Sequence, residues 1–141
     1  EALASSDDRA KLVIFRSARA FAVMNLYPYN NGHLLVAPHL HAGSLNELSR
    51  EERNALFELT HRAVRWLEQV YHPHGFNIGL NLGLVAGAGL PGHLHVHIVP
   101  RWNGDTNFMP VLGETKVISE DLWDSYDRIK AVIQRRSRDE S

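Results

Sequence analysis

The chain has 141 residues, with 15 basic and 16 acidic side chains, a net charge of −1 and a hydrophobic share of 44%. That length and composition suit one domain with a real core, and the near-neutral charge argues against electrostatic capture of nucleic acid or of a membrane surface. There is no cysteine, which excludes disulfides, cysteine nucleophiles and thiolate metal sites within these residues.

No apolar run approaches the roughly 20 residues of a transmembrane helix, and a reducing cytoplasm is the default expectation. The chain opens on Glu1 without an apolar signal region, which fits a processed or trimmed start. Residues 1–141 are expected to form a single domain, with flexible ends at 1–10 and 135–141. The second of these carries the basic run Arg135, Arg136 and Arg138.

In chain order, Leu12 to Arg16 and Arg19 to Leu26 are rich in β-formers and read as strands joined at Ser17-Ala18. Tyr27-Pro28-Tyr29-Asn30-Asn31-Gly32 has strong turn chemistry, and His33 to Ala37 reads as a third strand, completing an antiparallel meander. Ser49-Arg50-Glu51-Glu52 is a capping box that predicts a helix to about Val70. Its stripe of Leu56, Leu59, Ala63, Trp66, Leu67 and Val70 is read as core.

His72-Pro73-His74 ends that helix, and Phe76 to Leu82 is a fourth strand. A glycine-rich stretch then runs from Gly83 to Gly92, followed by a strand over His93 to Pro100 and a turn at Asn103-Gly104-Asp105. Ser119 is expected to cap a last helix with the stripe Leu122, Tyr126, Ile129 and Ile133. Antiparallel strands with two separated main helices define an α+β fold.

The most informative segment is His93-Leu94-His95-Val96-His97-Ile98-Val99. Alternation at strand period buries Leu94, Val96 and Ile98 and aligns the histidines on the other face. Zinc could bind such a row, but a closed structural site needs about four ligands, and no Cys, Asp or Glu in the strand completes the set. A neutral imidazole can instead attack phosphorus, if its second nitrogen is held in the right tautomer, while neighbouring imidazoles donate to phosphate oxygens and to the leaving group.

Gly87-Ala88-Gly89-Leu90-Pro91-Gly92 matches G-x-G-x-x-G, yet a strand follows where a dinucleotide fold needs a helix. Its backbone could still form an anion-binding concavity. Taken singly, His33 reads as a structural histidine, and His39, His41, His61, His72 and His74 as mostly surface groups.

His93 to Val99 satisfies the signature His-φ-His-φ-His-φ-φ, φ being apolar, and the chain resembles the histidine triad family of nucleotide hydrolases and transferases. Asn25, a Pro-containing turn and Gly32-His33-Leu34-Leu35-Val36 resemble its N-terminal nucleotide-binding stretch. Asn81 with the glycine loop resembles its phosphate-side segment, and the likeness covers residues 12 to 130. Pro100-Arg101-Trp102-Asn103-Gly104-Asp105-Thr106-Asn107-Phe108 looks most like the bacterial branch related to diadenosine tetraphosphate phosphorylases. One departure is Gly89-Leu90-Pro91-Gly92, where family members often carry Ser, Thr or Gln. A side-chain donor to the leaving oxygen is missing there, so backbone N–H groups or His97 would replace it.

The resemblance implies a histidine triad fold and a homodimer whose sheets join across the interface. It implies transfer of a nucleoside monophosphate from a dinucleoside polyphosphate to phosphate or water. His95 would be the nucleophile, forming a nucleotidyl-histidine. His93 and His97 would orient it, contact the α-phosphate and assist departure, and His33 would support them. Asn25 would contact the ribose, Val23 and Leu35 would frame an adenine base, and Asn81, Gly87 and Gly89 would lie by the phosphates. Arg101 and Trp102 would hold the distal half of the dinucleotide.

No cofactor is required, although Mg²⁺ would accompany a polyphosphate. Structural zinc through His41 and His93 would need a Cys pair before Glu1. Cleavage of nucleoside phosphoramidates or adenylyl sulfate, and a non-catalytic nucleotide- or metal-binding role, are the competing expectations.

Overall fold

The computed structural model describes residues 6–87, 92–105 and 120–140. A short helix α1 (Ser6–Ala10) leads into strands β1 (Val13–Arg16), β2 (Ala20–Met24) and β3 (Leu34–Pro38). Helix α2 (Arg50–Tyr71), strands β4 (Gly75–Leu80) and β5 (Val96–Arg101), and helix α3 (Leu122–Glu140) follow. The strands form one sheet in the order β1-β2-β3-β5-β4, antiparallel at every pairing. This is the α+β architecture expected, with the meander intact. Helix occupies part of both stretches read as flexible ends. Ser119, expected to cap α3, lies outside the described residues.

Helix α2 starts where the capping box places it: Ser49 Oγ accepts the Glu52 N–H at 3.1 Å and Glu52 Oε1 accepts the Ser49 N–H at 2.8 Å. It ends at His72, whose left-handed φ of 49° breaks the repeat before Pro73. The buried stripe of Leu56, Leu59, Ala63, Trp66 and Leu67 packs against β2, β3 and β5, meeting Ala22, Met24, Leu34, Val36, Val96 and Ile98 in one core. Helix α3 adds Tyr126, Ile129, Val132 and Ile133 beside α2 and β1. Because one sheet face is filled by α2, alternate residues of β2, β3 and β5 point to the other face. That second face carries the candidate chemistry.

The strand expected over His93–Pro100 begins in fact at Val96. Pairing starts there because Val36 of β3 and Leu80 of β4 are the first partners on either side. His93 to His95 keep the strand-like alternation outside the sheet, with Leu94 buried and its N–H donated to Ala42 O at 2.6 Å. The alternation signal was a burial signal, and burial outlasts the ladder by a few residues.

Candidate active site

Register places the site residues on a line across the sheet. Val23 of β2 pairs with Leu35 of β3, Leu35 pairs with His97 of β5, and His97 pairs with Gly79 of β4. Paired residues share a face, and strands lie about 4.8 Å apart, so Val23 and Leu35 form an apolar floor within roughly 10 Å of His97. Gly79 gives the other side of His97 no side chain, and a Cβ there would meet nothing within 4 Å. Gly79 is not among the residues singled out from sequence; a glycine inside a strand pattern is the signal that marks it.

The imidazoles are held by partners that can play only one role. Tyr29 N–H donates to His33 Nδ1 at 3.0 Å. An amide N–H cannot accept, so Nδ1 is the acceptor and neutral His33 carries its proton on Nε2. That Nε2–H faces His97 Nδ1 at 3.1 Å. His97 Nδ1 therefore accepts, and its own proton sits on Nε2.

His95 takes the opposite tautomer. Its Nδ1 lies 3.1 Å from the carbonyl oxygen of His93, which can only accept. Nδ1 carries the proton, and Nε2 of the neutral ring keeps a lone pair. The His95 and His97 rings stand 4.9 Å apart at 64°. The cluster thus presents one nitrogen lone pair on His95 beside one N–H donor on His97. Burial, together with the neighbouring His97, pushes His33 down to about 4. Burial, with His95 second, also lowers His97. Both rings are neutral at pH 7, as the tautomer chain requires.

Of the residues singled out from sequence, the structure gathers His33, His95 and His97. His93 joins them through its backbone carbonyl. Its ring turns away, with Nε2 3.2 Å from Pro38 O and Phe21 and His41 edge-on at 6.3 and 5.1 Å. Asn25 lies against His33: its Oδ1 accepts Tyr27 N–H at 3.1 Å, and its Nδ2 stands 3.4 Å from both ring nitrogens. Asn81 and Gly87 are exposed and touch each other, Nδ2 to O, at 3.5 Å. Gly89 lies outside the described residues.

Arg101 shares a face with His97 but stands four residues further along β5, about 13 Å at strand rise. Its guanidinium grips Asp105 through two bonds of 2.8 Å, donates to Asn77 Oδ1 and lies over the Tyr29 ring at 5.4 Å. Trp102 packs edge-on against Tyr71 at 6.2 Å. Both residues expected to hold a distal nucleotide are engaged by the protein itself.

Among the described residues only His41 and His93 of the expected zinc ligands stand together. His41 and His93 approach, but His93 Nε2 already points at Pro38 O. Among the described residues no group of three or more His, Cys, Asp or Glu could hold a metal ion.

A five-stranded antiparallel sheet with a histidine cluster entering its second face defines a histidine triad domain. The HIT domain matches residues 7–104, and the chain belongs to the HIT family. Over 118 residues it is 48% identical to an AP-4-A phosphorylase of Mycobacterium tuberculosis, an alignment covering 84% of this chain and 60% of that protein. It is 36% identical over 93 residues to the asymmetrical bis(5'-nucleosyl)-tetraphosphatase of Schizosaccharomyces pombe, covering 66% of this chain and 50% of that one. The chain thus spans less than two thirds of the length of these curated relatives.

Among solved structures, a Zn-bound histidine triad family protein from Mycobacterium smegmatis superposes with a TM-score of 0.75, covering 91% of this chain and 87% of that one at 24% identity. That likeness concerns the fold. Among the described residues, no helix is long and apolar enough to cross a membrane.

Proposed function

We propose that the protein cleaves dinucleoside polyphosphates of the diadenosine tetraphosphate kind by transfer of a nucleoside monophosphate through His95, with inorganic phosphate as the preferred acceptor. The observation that carries this is the opposed tautomers of His95 and His97, a free imidazole lone pair beside an imidazole donor. The names of the relatives support the substrate class, and the 48% identity to an AP-4-A phosphorylase supports phosphate over water.

In the first half-reaction His95 Nε2 attacks the α-phosphorus. An N–P bond forms, the bond to the bridging oxygen breaks, and ATP departs with its oxygen receiving a hydrogen bond from His97 Nε2–H. In the second, a phosphate oxygen attacks the same phosphorus, the N–P bond breaks and ADP leaves. The His93 carbonyl holds His95 in its reactive tautomer and accepts the growing positive character on Nδ1–H. Val23 and Leu35 offer the base an apolar floor, and Mg²⁺ would travel with the polyphosphate.

A homodimer through β4 fits this reading. Among the described residues β4 is an edge strand with an open ladder, and Ile78 on it and Leu82 and Leu84 just beyond are exposed. Incubation with diadenosine tetraphosphate and inorganic phosphate should give ADP and ATP. AMP and ATP in both the presence and absence of phosphate would make water the acceptor. No cleavage under either condition would overturn the reading.

A further inference from the structure

The loop between β2 and β3 supplies the Tyr29 N–H on which the tautomer chain begins. Its tyrosines do not anchor it, since Tyr27 and Tyr29 are exposed to 84% and 61%. Two asparagines do. Asn31 Oδ1 accepts the Glu120 N–H at 2.9 Å. Asn30 Nδ2 donates to Asp105 Oδ2 at 2.7 Å and to Pro100 O at 2.9 Å, while Asn30 O accepts the His33 N–H at 3.2 Å. Asn30 is therefore tied at one end to the turn after β5 and at the other to the backbone of His33.

Asp105 is the fixed point of this arrangement. Its side chain is 6% exposed. It accepts Arg101 Nε and Nη2 at 2.8 Å each, and the Trp102 N–H at 3.0 Å. The bonds from Arg101, Trp102 and Asn30 hold its carboxyl far below the usual carboxylate range. It touches none of the histidines, and no role in binding phosphate is open to an anion.

We propose that Asp105 is a positioning residue for the histidine cluster: by fixing Asn30 it keeps the Tyr29 N–H on His33 Nδ1, and so decides which nitrogen of His97 carries the proton. With that anchor gone, His33 Nδ1 can take the proton. Nε2 then becomes an acceptor, His97 Nδ1 must become a donor, and His97 Nε2 faces the site as a lone pair. Two lone pairs, on His95 and His97, would then meet a leaving oxygen that needs a donor.

The catalytic consequence rests on the function proposed above; the tautomers themselves do not depend on any substrate. Long-range proton–nitrogen NMR of the ring nitrogens tests the proposal on the whole chain, as wild type, Asp105→Asn and Asn30→Ala. Asn30→Ala cuts the link while leaving the Arg101–Asp105 pair in place. Wild type should show His33 and His97 each as a single Nε2–H form, and a mixture in wild type would overturn the proposal. Both variants should show mixed tautomers at His33 and His97, and in cleavage assays kcat should fall about tenfold or more with KM nearly unchanged. Folded Asn30→Ala with both rings still wholly Nε2–H would overturn the positioning role even if wild type cleaves the dinucleotide. Tautomers that shift as stated, in a protein that cleaves nothing, would leave the positioning role standing and remove the proposed function.

Discussion

The histidine cluster and the two acidic residues whose side chain (Asp105) or backbone (Glu120) holds its loop are built on opposite principles. At Asp105 and Glu120 the hydrogen-bonding capacity is heavily used by the protein. Asp105 takes Arg101, Trp102 and Asn30, while Glu120 takes Tyr71 OH at 2.8 Å, Ser125 Oγ at 2.7 Å and Arg128 Nη1 at 2.7 Å. In the cluster His33 uses both ring nitrogens on the protein, while His95 and His97 each use Nδ1 and leave Nε2 to the site. The carboxylates are charged and held below their usual range. His33 and His97 are neutral because burial lowers them. A saturated charge confers order, whereas an open valence on a neutral ring confers reactivity, and the protein keeps the two apart in space while linking them through Asn30 and Asn31.

The contrast can be broken first at His97. His97→Ala removes the imidazole donor beside His95 and should lower kcat for diadenosine tetraphosphate roughly a hundredfold to a thousandfold. The side chain is only half-buried, so the thermal midpoint should move little. Comparable losses of rate and stability would mean the cluster is structural after all.

The second break uses acid. The unfolded chain takes a proton at His33 near its ordinary value of 6.5, while the folded protein resists until about 4. Between these limits the unfolded state binds more protons. The stabilisation from neutral His33 is therefore complete above 6.5 and is lost as pH falls toward 4, up to roughly 3 kcal/mol. Urea midpoints measured from pH 7 to pH 4 should show this slope, and His33→Asn should flatten it.

The smallest effect is expected at Glu120. Glu120→Ala frees Tyr71 OH, Ser125 and Arg128 and should cost about 1–3 kcal/mol in urea unfolding at pH 7. The change in kcat should be smaller than for His97→Ala, because the backbone N–H at 120 still holds Asn31 and Asn30 still anchors the loop. A larger rate loss at Glu120 than at His97 would erase the distinction between the two regions.

How much of this was legible in the sequence follows from the range of each signal. The meander, the capped helix and its buried stripe depend on periodicity and on neighbours within a few residues, and they appear where Ser49, Glu52 and Leu56 to Leu67 place them. The triad motif marked the second face because alternation survives from His93 to His97 even where the ladder does not. Residues that act across long separations were missed or misread. Asn30 meets Asp105 75 positions away, and Glu120 meets Asn31 across 89. Arg101 was expected to hold the distal half of a dinucleotide by charge, and its grip on Asp105 four residues on shows only once the turn after β5 is folded. The roles of the His33 and His97 nitrogens were equally hidden, since they follow from the Tyr29 N–H on His33 Nδ1, a contact made by the folded loop.

The most direct test of the account is to quench the protein during turnover of diadenosine tetraphosphate without added phosphate and measure the mass of its peptides. The account predicts one adenylate on the peptide containing His95, chased off by inorganic phosphate as ADP and absent from His95→Asn. Normal turnover by His95→Asn, or an adenylate found on another residue, would contradict it.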